Sequence, residues 1–178
     1  SEADGLSGLI VDRYADHLVL QPTSLALSNR LSTIVGLLTE RLSPGSMSLH
    51  IDEATAKLEG ITADEIAAQS LAGQLQREDD HVVIAEHDVQ YHVPIAGGQK
   101  TGFYLDQREN RLAAAQLTQG RRVLDVCTYT GGFALAAAKH GASHVIGIDG
   151  SQPAIEAAQE NARRNNLTNT KFQVADCF

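Results

Sequence analysis

Three aspartates, Asp125, Asp149 and Asp176, lie 24 and 27 residues apart near the end of a 178-residue chain, each closing a short apolar run. A carboxylate at the end of a parallel strand faces the crevice in which open α/β sheets bind their ligands. Three such ends on one sheet would address one ligand. After Asp125 the chain reads Thr128-Tyr129-Thr130-Gly131-Gly132-Phe133 and then turns alanine-rich. Glycines between a strand and a helix let a ligand approach the backbone, and the helix points its positive end at it. Asp149 closes the second strand, the position from which a carboxylate accepts both hydroxyl hydrogens of a ribose. The chemistry indicated is the binding of a nucleoside.

Charge narrows the choice of nucleoside. A dinucleotide site would carry G-x-G-x-x-G at this turn, so that a pyrophosphate could rest on the helix N-terminus. The turn has no such triplet, and Asp125 would repel the pyrophosphate. S-Adenosylmethionine bears a sulfonium and an ammonium, for which carboxylates at the turn are favourable. The residues therefore favour S-adenosylmethionine over NAD.

These groups need a sheet to position them. "RRVLDV", "HVIGID" and "KFQVAD" read as strands, with "GGFALAAAKHG" and "SQPAIEAAQENARRNN" as the helices between them. Strands alternating with helices predict a parallel sheet wound in right-handed units. Just upstream, "AGGQKTGFYL" reads as a glycine-bearing loop and "DQRENRLAAAQLTQG" as a helix with Asp106 as N-cap and Gly120 as its stop.

The start of the chain has a different character. Leu9 to Val11 and Leu18 to Leu20 predict an antiparallel pair turning across Asp12 to Asp16. Leu27, Leu31, Ile34, Val35, Leu38 and Leu42 then share one helical face, with Thr23 or Ser24 as cap and Pro44-Gly45 as the stop. "MSLHID" can form a strand. Thr62 and Glu65 fit a capping box opening a short helix to about Gly73. "HVVIAEHDVQYHVPI" reads as a hairpin turning at Glu86 to Asp88.

Composition bounds the partners. Hydrophobic residues make up 43% and charged residues 20%, as in globular proteins, and the net charge is −8 with a pI near 5.2. A non-specific nucleic-acid binder would need a surplus of Lys and Arg; a local basic patch stays open. The absence of Trp leaves little for a base-stacking platform. No apolar run approaches the roughly 20 residues of a membrane helix, and the N-terminus lacks a signal-peptide pattern, so a cytoplasmic protein without a membrane partner is expected. The seven histidines show no metal-like cluster, and no metal is expected. Cys127 and Cys177 read as buried, inert thiols rather than as nucleophiles or a disulfide.

"GQKTGFYLDQRENR" (Gly98 to Arg111), "VLDVCTYTGGFALAAAKHGA" (Val123 to Ala142) and "VIGIDGSQPAIEAAQENARRNN" (Val145 to Asn166) together resemble the class I S-adenosylmethionine-dependent methyltransferases of large-subunit ribosomal RNA that make 5-methylcytosine. The opening "EADGLSGLIVDRYADHLVLQ" resembles the start of that family's small central domain.

The resemblance implies an α/β protein. A small α+β central domain, residues 1–90 on the substrate side, would be followed by the first half of a Rossmann-like class I methyltransferase parallel sheet, residues 91–178. An N-terminal PUA-type RNA-binding domain and the rest of the methyltransferase domain would lie outside this chain, with the nucleophilic cysteine beyond Phe178.

It further implies that S-adenosylmethionine is the cofactor and ribosomal RNA the substrate. The turn from Asp125 through Thr128, Tyr129, Thr130, Gly131, Gly132 and Phe133 would cradle the methionine portion. Asp149, with Gly150 and Ser151, would hold the ribose. Asp176 and Cys177 would border the adenine. Lys100, Thr101, Gly102 and Tyr104, with Asp106 and Arg108, would close over the methionine end.

A non-catalytic binding or interaction module stays open, because no nucleophile or base in the chain has a clear role. An NAD-dependent oxidoreductase is disfavoured by the turn. A sheet ending at its third strand would leave an exposed edge, so marginal stability or self-association is expected.

Overall fold

A computed structural model describes residues 5–67, 81–95 and 101–176. The chain divides into two compact units. The first runs to Val82 and includes Pro94–Gly102; the second comprises Val83–Val93 and the chain from Phe103 onward. The cut between residues 90 and 91 read from the sequence falls inside a strand of the second unit. Among the described residues no helix is long and apolar enough to cross a membrane.

In the first unit, β1 (Leu9–Tyr14) and β2 (His17–Pro22) form the antiparallel pair, and β3 (Ser46–Leu49) lies parallel to β2. The turn is shorter than expected. The strands continue to Tyr14 and from His17, leaving Ala15 in the left-handed region (φ 54°) beside Asp16. The single helix expected after Ser24 is instead two, α1 (Leu25–Ser28) and α2 (Leu31–Leu42). Ser24 caps the first, accepting from Leu27 N, and Asn29 ends it. The shared face survives the break: Leu31 and Val35 pack with Leu18, Leu20 and Met47, against Ile34, Leu38 and Ile66.

α3 (Glu53–Glu59), capped by Asp52 and closed by left-handed Gly60, was not foreseen. α4 (Ala63–Ala67) opens with the capping box: Thr62 N and Oγ1 donate to Glu65 Oε2, and Glu65 N donates to Thr62 Oγ1. The expected continuation to Gly73 lies outside the described residues. Buried His17 meets Ser46 Oγ and Ser48 Oγ at 2.7 and 2.8 Å, joining β2 to β3 through side chains as well as backbone.

The second unit holds the β4 (His81–Glu86) and β5 (Val89–Pro94) hairpin, although the first two residues of β4 and the last of β5 fall in the first unit. Its turn residues, His87 and Asp88, both have positive φ (46° and 66°), as tight two-residue hairpins require. A 3₁₀ turn (Leu105–Gln107) leads into α5 (Arg108–Ala115). Gln107, not Asp106, occupies the α5 N-cap, without a side-chain bond, and the helix ends before Gly120.

Then follow β6 (Arg122–Val126), α6 (Gly132–Lys139), β7 (His144–Asp149), α7 (Gln152–Arg164) and β8 (Thr170–Val174). The sheet is parallel with β7 in the middle. Because the strands advance in one direction, right-handed crossovers put α6 and α7 on the same face. Small residues let α6 lie close, with Ala134, Leu135 and Ala136 to Ala138 all buried. On the opposite face, Leu124 and Val126 are 61% and 48% exposed, so β6 carries apolar side chains in water. α7 holds the hairpin through its asparagines. The Asn165 amide exchanges two bonds with the Gln90 backbone, as a neighbouring strand would, and Asn161 Oδ1 accepts from His92 N.

Candidate functional site

The turn between β6 and α6 alternates in conformation. Cys127, Tyr129 and Gly131 have positive φ (60°, 51° and 87°), separated by Thr128 and Thr130. Alternation of this kind curls backbone amides toward one side. For Cys127 and Tyr129, which are not glycines, it stores strain of order 1–3 kcal/mol each. Such strain persists only where neighbours fix the backbone, and here they do.

Asp125 Oδ2 accepts from Thr128 Oγ1 at 2.5 Å and from Ala134 N at 2.9 Å, so one carboxylate oxygen ties the strand to the turn and to the first turn of α6. Burial pushes the Asp125 carboxyl above its ordinary value, the two hydrogen bonds oppose that, and the charge of Asp149 adds to it. Asp149 accepts from Tyr129 N at 2.8 Å on Oδ2 and from Ser151 N at 2.9 Å on Oδ1. A carboxylate oxygen has two lone pairs, so Asp149 keeps capacity for two hydroxyl donors. Ser151 caps α7 through Ala154 N, and the position of a Cβ on Gly150 is open space.

The three aspartates are staggered on the ladder rather than level. Asp125 pairs with Gly147, two residues before Asp149, while Asp149 pairs with Val174, two before Asp176. Asp176 is exposed and follows Ala175, whose N–H donates to Asp149 O.

Two glycines are held by packing. A Cβ on Gly131 would lie 3.1 Å from Ala158 Cβ, and one on Gly132 would lie 3.2 Å from Arg111 Cδ. Thr130, buried, accepts from Asn161 Nδ2, and Gly132 O accepts from Tyr91 Oη at 3.2 Å. Burial raises the Tyr91 phenol, so its proton stays available to Gly132 at any physiological pH. Half-buried Phe133 is the second residue of α6. Tyr104 meets Tyr129 edge to face, with ring centroids 5.7 Å apart.

The structure thus joins Asp125, Thr128, Tyr129, Asp149, Ser151 and Tyr104 through direct contacts. Asp106 and Arg108 are exposed; Gln107 Nε2 lies 3.5 Å from the first, and Glu109 3.9 Å from the second. Thr101 and Gly102 belong to the first unit, where Thr101 Oγ1 meets Tyr14 Oη at 2.8 Å and donates to Asp12 Oδ2. Lys100 and Cys177 lie outside the described residues. Cys127 is exposed, not buried, because β6 ends before it and the turn lifts it from the sheet.

Sequence reasoning passed over Arg111 and Glu86. Arg111 Nε and Nη2 donate to Glu86 Oε1 and Oε2, both at 2.7 Å, and Nη1 donates to Tyr104 O. Arg111 Cζ lies 4.5 Å from the Phe103 ring centroid. Arg111 closes the segment "DQRENR", but nothing in a single sequence pairs it with a residue 25 positions away.

The family model for S-adenosylmethionine-dependent methyltransferases matches residues 61–175. The chain is 42% identical to a ribosomal RNA large subunit methyltransferase I from Aeromonas hydrophila and 40% identical to one from Photobacterium profundum. Each alignment covers 100% of this chain and 44% of the relative, so the chain spans under half their length. A solved structure of a proposed S-adenosylmethionine-dependent methyltransferase from Streptococcus mutans superposes with a TM-score of 0.80 at 22% identity, over 99% of this chain and 44% of that one. That likeness establishes the fold: α/β, with a Rossmann-like parallel sheet.

Proposed function

The chain belongs to the S-adenosylmethionine-dependent methyltransferase family, and from that premise we propose that it is part of an enzyme that methylates large-subunit ribosomal RNA, at C5 of cytosine. The names of the relatives support the RNA assignment. The cytosine assignment rests on the resemblance of the "KTGFYLDQRENR" and "TYTGGF" segments. On this reading the first unit is the small central domain on the substrate side, and the second holds the cofactor.

The observation that carries the site is Asp149. It closes the middle strand, fixed by Tyr129 N and Ser151 N beside the glycine turn. The donor set fits S-adenosylmethionine. Asp149 is placed to accept the ribose hydroxyls, and Asp125 sets a negative charge at the turn suited to a cationic ligand. Tyr129 to Phe133 offer a close backbone approach to the methionine portion, and Asp176 with Cys177 would border the adenine. Tyr104, packed on Tyr129, would cover the methionine end with Asp106 and Arg108.

When bound, the cofactor supplies an electrophilic methyl group. The residues of this chain bind and orient it. Cytosine C5 becomes nucleophilic only after a thiolate adds to C6, and a base must later take the C5 proton. We place both groups beyond Phe178.

Calorimetric titration with S-adenosylhomocysteine tests the site. The chain should bind it and not NADH, and Asp149→Asn should weaken binding by roughly 1–3 kcal/mol, the cost of a lost charge-assisted hydrogen bond. Unchanged affinity in Asp149→Asn would remove the ribose role.

A further inference from the structure

Beneath the turn lies a buried polar cluster with no part in the ligand contacts proposed above. We infer that Arg111, Glu86, Tyr91 and Asn161 are positioning residues, which hold the Thr128 to Gly132 backbone in its binding shape. The inference rests on the cofactor reading of that turn.

Each member touches the turn or holds one that does. Tyr91 donates to Gly132 O, and Asn161 Nδ2 donates to Thr130 O, so two of the turn's carbonyls are fixed from below. The Arg111 stem lies against Gly132, where a Cβ would come within 3.2 Å of Cδ. Its guanidinium holds the carbonyl of Tyr104, whose ring packs on Tyr129. Glu86 anchors the guanidinium from β4 by a two-pronged bond.

A buried ion pair adds little net stability over apolar residues of the same volume. The side chains of Arg111 and Glu86 are only 3% and 6% exposed, which makes simple stabilisation a poor account of the pair. What a forked, planar pair does supply is fixed geometry. The turn needs it, because Cys127 and Tyr129 sit at strained positive φ and would relax if their supports were soft. Helix α7 contributes through Asn161, which bonds both β5 and the turn, so the hairpin and the turn share one support.

Two variants test this in the whole chain. Arg111→Lys keeps the charge but loses the fork, the stacking on Phe103 and the bond to Tyr104 O. Tyr91→Phe removes only the hydroxyl that serves Gly132, so the fold is spared. Binding is measured for S-adenosylhomocysteine and for 5′-methylthioadenosine, which lacks the amino-acid portion, with Asp149→Asn alongside.

A positioning role predicts that Arg111→Lys weakens S-adenosylhomocysteine roughly tenfold, as a misplaced site would, with a smaller loss for Tyr91→Phe. The loss for methylthioadenosine should be smaller, because it feels the turn only through the Tyr129 N–H that steadies Asp149, whereas Asp149→Asn should weaken both ligands. Equal losses for the two ligands in the cluster variants would mean general packing and overturn the inference. So would unchanged affinities in those variants while Asp149→Asn still weakens binding. If Asp149→Asn also has no effect, the cofactor reading itself falls, and the positioning role with it.

Discussion

Gly147 sits in the middle of β7, opposite Phe172 of β8. A methyl group placed there would stand 2.6 Å from two atoms of the Phe172 ring and 3.0 Å from Thr128 Oγ1. Carbon atoms rest at about 3.5–4.0 Å, so the ring must move by about 1 Å. The φ of Gly147 lies outside the left-handed region, so the cost of Gly147→Ala is steric alone. Overpacking of this kind costs about 1–3 kcal/mol. At roughly 2–4 °C per kcal/mol for a chain of this size, Tm should fall by roughly 2–12 °C.

A double-mutant cycle isolates the cause. With Phe172→Ala the ring is gone and only the milder contact with Thr128 Oγ1 remains, so adding the methyl should cost clearly less than it does in the parent. Urea midpoints of the four proteins, followed by circular dichroism, supply the numbers. If Gly147→Ala costs as much without the ring as with it, the ring is not what excludes a side chain there. Because Thr128 bonds Asp125, the single variant should also bind S-adenosylhomocysteine more weakly than its loss of stability explains.

Two further outcomes follow from the same geometry. The raised pKa of Asp125 means that the folded chain favours its protonated form. This contribution to stability is complete below the ordinary value of 3.8 and is lost as pH rises through the raised value. A cationic ligand favours the charged form, so preference for S-adenosylmethionine over S-adenosylhomocysteine should grow across that rise and flatten in Asp125→Asn; a flat profile in the parent would remove the electrostatic role. Leu124→Thr with Val126→Thr should reduce self-association in sedimentation velocity, because those side chains present apolar surface to water; association unchanged by the pair would place the sticky surface elsewhere.

The repeating strands and helices were legible because each carries its own signal. Apolar runs close in aspartate, Ser151 caps α7, and the glycine pair opens α6. The capping box at Thr62 was equally local. The break at Asn29 and Arg30 was not, because Leu27, Leu31 and Ile34 keep a helical spacing across it. Nor was the choice of Gln107 over Asp106: the 3₁₀ turn that displaces the cap leaves no mark on the periodicity. Cys127, expected to be buried because it lies within the ligand-facing motif, is exposed, since the strand ends at Val126 and the next residue adopts positive φ.

The supports of the turn were invisible for a deeper reason. Glu86 in a hairpin, Arg111 early in a helix and Asn161 late in another look like ordinary polar positions, and their meaning exists only once three separate elements converge. A ligand-facing motif can be compact in sequence because one turn carries it. Its supports cannot be, since a strained turn has to be held from several directions, by elements far apart in the chain. The cluster under Gly132 fits that requirement, with Glu86 and Tyr91 from the hairpin, Arg111 from α5 and Asn161 from α7. Removing Arg111 or Glu86 outright would strand a buried charge, but loss of the Tyr91 hydroxyl or of the Asn161 amide should loosen the turn without unfolding the sheet. That separates a positioning residue from one whose removal merely melts the fold.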